Sequence, residues 1–136
     1  MKQATERSIA LRLQTLAQVL AEQPNVQFAV LIGSQVNGTA RPDSDWDIAI
    51  AWQPGLDWLE NLAETEMLRK QLAISINVTD KQIDLIDIRV ASLAMRRTIA
   101  DDGLCLKGGE TLAWARFLTR TWREIEDFYW EKDHAA

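Results

Sequence analysis

The stretch that decides the fold of this 136-residue sequence is Gly33-Ser34-Gln35-Val36-Asn37-Gly38-Thr39-Ala40-Arg41-Pro42-Asp43-Ser44-Asp45-Trp46-Asp47. The apolar run directly before it, residues 28–32, is typical of a strand buried on both faces. A glycine at the end of such a strand allows a tight turn into a short helix, whose first backbone N–H groups can bind an anion. We therefore expect Gly33 and Ser34 to bind a polyphosphate, with the Ser34 hydroxyl donating one further hydrogen bond.

Two aspartates, Asp45 and Asp47, open the next predicted strand. Their i, i+2 spacing directs both carboxylates to one face, about 6–7 Å apart along the backbone. Two carboxylates that converge to about 4 Å repel each other by about 4 kcal/mol at an effective dielectric of ~20, so the pair indicates a cation between them. Oxygen ligands beside a phosphate site suit Mg²⁺. Asp84, at the start of the third predicted strand, would complete a site for metal-assisted phosphoryl or nucleotidyl transfer.

Two other motifs fit the same residues less well. An EF-hand would need glycine where Ile48 stands and glutamate where Pro54 stands. A Walker A loop would need lysine where Thr39 stands. On the third strand, Asp87 competes with Asp84 for the role of third carboxylate, although it points to the opposite face.

Length, composition and charge indicate one domain over residues 1–136. The chain is 47% hydrophobic and 26% charged, which is typical of a globular protein. Its net charge of −5 opposes direct binding of long nucleic acids, and its single cysteine, Cys105, excludes disulfides and cysteine metal clusters. The sequence has no apolar run of membrane-spanning length and no signal peptide, so we expect a cytoplasmic protein without membrane contact.

Helical and strand patterns alternate along the chain. Helices are predicted at about 4–22, 57–73, 90–101 and 111–132, and strands at 28–32, 47–52, 83–88 and 104–106. The stretch 74–82 is ambiguous. The pattern predicts an α/β (α+β) fold in which helices pack on one small mixed sheet.

The motif resembles a known family. Gly33-Ser34, ten intervening residues and Asp45-x-Asp47 are similar to the signature of the DNA polymerase β-like nucleotidyltransferase superfamily. More narrowly, the chain resembles the minimal nucleotidyltransferases (MNT), in particular the MntA-type antitoxins of HEPN/MNT toxin–antitoxin pairs. The resemblance covers most of the chain and extends to Ile83-Asp84-Leu85 and the turn at Asp102-Gly103.

The resemblance implies a nucleotidyltransferase fold, ATP as substrate and two Mg²⁺ ions. Gly33 and Ser34 match the phosphate-binding pair of the family, Asp45 and Asp47 its metal-binding pair, and Asp84 the third carboxylate, which binds metal and helps to deprotonate the attacking hydroxyl. In the MntA-like group that hydroxyl belongs to a tyrosine of the cognate HEPN ribonuclease. AMP transfer then silences the toxin, so the resemblance implies a protein adenylyltransferase that serves as the antitoxin of a type VII-like pair.

This sequence departs from the common family pattern at two positions. Asn37 stands where many relatives have a basic residue, and we expect Arg41 to replace that charge in contacting the triphosphate. Trp46 stands where an aliphatic residue is common, which suggests a different wall for the nucleotide pocket.

The last helix and its arginines allow more than one interpretation. Trp114, Trp122 and Trp130 recur every eight residues, and this helix, about 111–132, either packs on the core or contacts a partner. Five arginines of the last two predicted helices are typical of a solvated face; they are Arg96, Arg97, Arg116, Arg120 and Arg123. The alternative is that they dock an acidic partner or hold phosphate.

Two other functions stay open at this point. One is nucleotidyl transfer to a small molecule such as an aminoglycoside, although such relatives usually have an extra helical domain that holds the acceptor. The other is a non-catalytic antitoxin that blocks its toxin sterically. A pure blocker has no use for three clustered carboxylates, so Asp45, Asp47 and Asp84 favour the enzyme.

Overall fold

The structure, a computed structural model, describes the backbone of residues 2–135 and the side chains of residues 6–135; Met1 and Ala136, the ends of the predicted domain, lie outside the described residues. The helices are α1 (Lys2–Ala21), α2 (Ser34–Asn37), α3 (Trp58–Ser75), α4 (Leu93–Asp102) and α5 (Leu112–His134). The strands are β1 (Val26–Ile32), β2 (Trp46–Trp52), β3 (Ile83–Asp87) and β4 (Leu104–Lys107). Single 3₁₀ turns flank β3 on both sides.

The four strands form one mixed sheet in the order β3-β2-β1-β4. β1 pairs antiparallel with both β2 and β4, whereas β2 and β3 are parallel. The predicted fold class, a small mixed sheet with packed helices, is confirmed. The third strand lies beside the second, which is the condition under which Asp84 can join Asp47.

The sheet separates two apolar layers because side chains alternate between its faces. On one face, Trp46, Ile48 and Ile50 pack among buried leucines of α1 and α3. On the other face, Ala49 and Ala51 share a layer with residues of α4 and α5. The side chains of β2 are smaller on this second face than on the first. Asp47 lies on the second face as well, because alternate residues of a strand share a face.

Side-chain caps explain where the later helices begin. The Asp57 carboxylate accepts from the N–H of Glu60 at 2.8 Å and starts α3. Ser92 Oγ accepts from the N–H of Met95 at 3.1 Å, so α4 begins three residues after its predicted start, because a 3₁₀ turn occupies residues 88–90. Such caps stabilise a helix by about 1 kcal/mol each.

The ambiguous stretch 74–82 contains no strand. α3 continues to Ser75, the chain turns through Asn77 in the left-handed region (φ +57°), and a 3₁₀ turn leads into β3. None of the helices in the described part of the chain combines the length and apolar character needed to cross a membrane.

Candidate active site

The turn after β1 places the backbone of Gly33 against the side chain of Asp47. Gly33 has φ +84° and ψ −153°, a conformation that residues with a side chain rarely adopt. A Cβ atom at this position would lie 2.7 Å from Asp47 Oδ2, closer than a van der Waals contact. Position 33 therefore requires glycine for its backbone angles and for the space that Asp47 occupies.

Gly33 is also the residue from which α2 starts. Its carbonyl accepts hydrogen bonds from the N–H groups of Val36 at 3.0 Å and Asn37 at 3.2 Å. The first N–H groups of a helix, here those of Ser34 and Gln35, have no acceptor within the helix. The turn thus has the geometry expected of an anion site, whereas phosphate binding by Gly33 and Ser34 stays a prediction.

The loop between α2 and β2 is closed by its own hydrogen bonds. The Arg41 N–H donates to Ser44 Oγ at 2.7 Å, and the Ser44 N–H donates to the Arg41 carbonyl at 2.9 Å. Gln35 Nε2 donates to the Ser44 carbonyl at 3.3 Å and ties the loop to α2. This fixes the entry into β2, with Asp45 one residue before the strand. Arg41 is exposed, so its predicted contact with a triphosphate stays a prediction.

The parallel pairing of β2 with β3 brings two of the predicted carboxylates together. Asp47 is the register partner of Asp84, and on its other side Asp47 pairs with Ile32, the residue before Gly33. Asp45 lies close enough to Asp47 for their charges to interact. The three predicted aspartates therefore gather at the end of the sheet where the Gly33 turn lies.

The electrostatics of Asp47 follow from this arrangement. Burial raises the pKa of its carboxyl above the ordinary value of 3.8, and the negative charges of Asp84 and Asp45 raise it further. A side-chain hydrogen bond with Asp84, which requires a proton between the two carboxyl groups, acts in the same direction. With all three ionised, the site has an excess of negative charge that a cation would compensate.

The donors at this site fit Mg²⁺ in kind but do not form a complete cage. Carboxylate oxygens are the ligands Mg²⁺ prefers, and mutual repulsion at Asp47 favours a cation there. Among the described residues, no three acidic, histidine or cysteine side chains are gathered closely enough to hold a metal by themselves. That suits an ion bound through one or two carboxylates together with substrate phosphates.

Two residues discussed from the sequence lie elsewhere. Asp87 is held by Arg89, whose Nη2 donates to Asp87 Oδ2 at 2.8 Å, and its other oxygen accepts from the Arg89 N–H at 2.9 Å. The suggestion that Trp46 forms a wall of the nucleotide pocket is wrong. Trp46 is 2% exposed and lies in the core on the α1 and α3 face, opposite to Asp47, because alternate residues of a strand face opposite sides.

Sequence reasoning missed Gln35, which positions the loop before Asp45. Its amide contacts the Ser44 carbonyl only because the loop returns to α2. A glutamine two residues after a glycine gives no signal of such a contact, since the path of the loop decides it.

Comparison with known proteins gives a consistent assignment. The family described as polymerase beta, nucleotidyltransferase matches residues 14–110. The protein adenylyltransferase MntA of Shewanella oneidensis is 35% identical over 85 residues. That match spans 62% of this chain and 56% of the relative, so it covers little more than half of the relative's length.

Two solved structures have a similar fold. One is a toxin–antitoxin complex with AMP-PNP, at 24% identity and a TM-score of 0.67, covering 89% of this chain and 92% of the other. The other is a tri-AMPylated HEPN toxin of Shewanella oneidensis in complex with its MNT antitoxin, at 22% identity and a TM-score of 0.63, covering 92% of each chain. Because the family match includes the Gly33 turn and all three aspartates and spans well over half of the sequence, this chain belongs to the polymerase beta nucleotidyltransferase family.

Proposed function

We propose that this protein is a Mg²⁺-dependent protein adenylyltransferase that transfers AMP from ATP to a tyrosine hydroxyl of a cognate HEPN ribonuclease toxin. It thereby acts as the antitoxin of a type VII-like toxin–antitoxin pair. The observation that carries the proposal is the register of Asp47 with Asp84, directly against the Gly33 turn. The names of the relatives support it: a protein adenylyltransferase, an AMP-PNP complex and a tri-AMPylated HEPN toxin.

In this proposal the residues of the turn bind the triphosphate. The free N–H groups at the start of α2 and the Ser34 hydroxyl donate to phosphate oxygens, and the missing side chain of Gly33 lets them approach the backbone. Arg41, on the loop closed by Ser44, supplies the positive charge that Asn37 lacks. ATP is thereby held with its α-phosphorus toward the aspartates.

The aspartates act on the reacting atoms. Asp45, Asp47 and Asp84 would hold two Mg²⁺ ions. Their positive charge would stabilise phosphate oxygens and lower the pKa of the acceptor hydroxyl. Asp84 accepts the proton of that hydroxyl. A bond then forms between the tyrosine oxygen and the α-phosphorus, the bond from that phosphorus to its bridging oxygen breaks, and pyrophosphate leaves.

The proposal also includes a partner surface and a location. Beyond Ile125 the side chains of α5 are exposed, with Phe128 at 54% and Trp130 at 61%. We expect this end of the single domain to contact the toxin, because exposed aromatic clusters are typical of protein interfaces. A cytoplasmic location follows from the proposed substrates, ATP and an intracellular ribonuclease.

The test combines the purified chain with ATP labelled at the α-phosphate, MgCl₂ and the HEPN protein encoded by the neighbouring gene. Label should appear on one tyrosine of the HEPN protein and disappear with EDTA or with a Tyr→Phe acceptor. The same assay with a panel of aminoglycosides tests the small-molecule alternative. Transfer of label to an aminoglycoside but not to the HEPN protein contradicts the proposal. If the Asp47→Asn variant neutralises the toxin as well as the wild type does, the protein blocks the toxin sterically instead.

A further inference from the structure

A groove lies at the end of the sheet opposite to the aspartates. It is lined by the start of β1, the end of β2, the 3₁₀ turn after β3 and the first half of α5, and its volume is about 690 Å³. Ala51, one of its lining residues, lies four positions along β2 from Asp47, which is about 13 Å in a strand. The groove is therefore separate from the proposed active site.

The floor of this groove is apolar and its shape follows from the sequence of β2. Ala51 leaves space above the sheet where a larger side chain would fill it, and Phe28, Ile88 and Phe117 form the surrounding surface. Phe28 and Phe117 are fixed by ring contacts with each other at 5.5 Å. The floor residues are only 2–7% exposed, so the floor presents a small apolar surface on which one bulky apolar side chain can rest.

The rim of the groove is basic. Four arginines line it, and none of the described lining residues is acidic; the four are Arg89, Arg116, Arg120 and Arg123. This is unusual for a chain with 20 acidic and 15 basic residues. Three of the arginines lie at i, i+4 and i+7 on α5 and form a basic stripe about 10 Å long.

Part of this positive charge is not neutralised within the described residues, since only two of the four arginines are in ion pairs there. Arg116 and Arg123 form no ion pair there, and Arg120 approaches Glu124 only at 3.8 Å. Arg89 is paired with Asp87 at 2.8 Å and so is held at the rim on the β3 side. Like charges grouped in this way repel one another, and an anionic partner would remove that repulsion.

We propose that this groove binds an acidic segment of a partner protein, with carboxylates on the arginine stripe and one bulky apolar side chain on the Phe28–Ala51–Phe117 floor. Guanidinium groups bind carboxylates in bidentate geometry, and charge complementarity speeds the encounter with an acidic partner. A long nucleic acid fits less well because the remainder of this acidic chain repels its backbone. The binding goes beyond the proposed function, since it needs neither ATP nor the aspartates.

The probe is a fluorescein-labelled 14-residue helical peptide with glutamates at i, i+4 and i+7 and leucines on the adjacent face; its control has lysine at each glutamate position. Fluorescence anisotropy without nucleotide or metal should detect saturable binding of the glutamate peptide alone. Binding should weaken as NaCl rises, because salt screens exposed charges. Arg116→Glu/Arg123→Glu should weaken it about 10-fold, because two ion pairs are lost and each reversed charge repels the glutamates.

The matched control is Arg7→Glu/Lys70→Glu, which makes the same charge change at two exposed positions of α1 and α3, on the other side of the sheet. It should leave peptide affinity within about 2-fold, because those charges lie beyond a screening length. Equal weakening by both double variants, or equal binding of the lysine peptide, overturns the proposal. The proposal is also overturned if a dT₁₂ oligonucleotide binds more tightly than the glutamate peptide and Arg116→Glu/Arg123→Glu abolishes that binding. Asp47→Asn should bind the peptide normally, so failure of the proposed enzyme function would leave this result unaffected.

Discussion

The two ends of the central sheet have opposite charge. At the end that contains the Gly33 turn, Asp45, Asp47 and Asp84 gather and repel one another. At the other end, about 13 Å along β2, arginines surround an apolar groove. The aspartates and the arginines are too far apart to neutralise each other, so each end keeps an excess of one sign.

On the two proposals above, the two ends of the sheet bind ligands of opposite charge. Like charges grouped at one place are unfavourable for the free protein, and a ligand of opposite charge would compensate them. The acidic end is small and adjoins backbone N–H groups, which suits a cation together with phosphates. The basic end is broad and apolar at its centre, which suits a protein segment.

The largest expected effect comes from neutralising the acidic end. Asp47→Asn should reduce AMP transfer by about 10³-fold or more, because the carboxylate whose charge interacts with both other aspartates is lost. The charge stabilisation that a metal supplies is worth several kcal/mol. Transfer is measured with labelled ATP under saturating MgCl₂. Circular dichroism checks that the variant folds. Turnover near that of the wild type would exclude Asp47 from the site.

Asp84 and Asp87 lie on one strand but belong to different ends. Asp84→Asn should reduce transfer by about 10²–10³-fold, as expected for loss of a proton acceptor. Asp87→Asn breaks the ion pair with Arg89 and should leave transfer within about 2-fold, because its carboxylate faces away from Asp47. Single-turnover rates measure both. The reverse ranking would make Asp87 the third carboxylate.

Glycines at the two ends provide a second matched pair. Gly33→Ala and Gly55→Ala both place a side chain at positive φ, +84° and +99°, and each should lower the free energy of unfolding by about 1–2 kcal/mol. Only Gly33→Ala also drives a Cβ against Asp47, since nothing lies within 4 Å of the corresponding position at Gly55. Gly33→Ala should therefore lose transfer by about 10-fold or more, and Gly55→Ala should keep it. Urea unfolding and transfer assays measure the two effects separately.

The Ser34 hydroxyl should contribute less than any carboxylate. One neutral hydrogen bond to a phosphate oxygen contributes about 0.5–1.5 kcal/mol, so Ser34→Ala should lower kcat/KM by about 2- to 10-fold. Kinetics over a range of ATP concentrations measure it. A loss as large as that of Asp47→Asn would mean that Ser34 also positions the turn.

The smallest expected effect is on stability and depends on pH. The pKa of Asp47 is raised in the folded protein, so the folded state binds more protons than the unfolded state, and stability falls as pH rises from 3.8 through the raised value. Without metal, Asp47→Asn should therefore raise Tm at pH 7, and thermal unfolding over a range of pH measures the gain. The gain should shrink as the pH falls through the raised pKa and vanish below 3.8, where Asp47 is protonated in the folded and the unfolded state. A gain that persists there would indicate a packing effect instead.

Much of the acidic end could be predicted from the sequence because its residues are close along the chain. Gly33, Ser34, Asp45 and Asp47 fall within 15 positions, and a buried strand precedes them, so local turn and strand geometry suffice. Asp84 required the further assumption that the third strand lies beside the second. At the basic end the sequence indicated three arginines of α5 as a possible docking set but not the groove. Arg89 lies 27 positions before Arg116, and only the packing of α5 across the sheet brings them to one groove.

The sequence by itself determined the alternation of helices and strands, the turn at Gly33 and the two aspartates at the entry into β2. These depend on side-chain periodicity and local backbone preference. Only the tertiary structure decided that Asp84 rather than Asp87 adjoins Asp47, that Trp46 is buried on the opposite face, and that arginines of α5 meet Arg89. The reason is that strand register and helix placement are set by packing between distant segments. In addition, the side chains of two adjacent residues in a strand lie on opposite faces of the sheet.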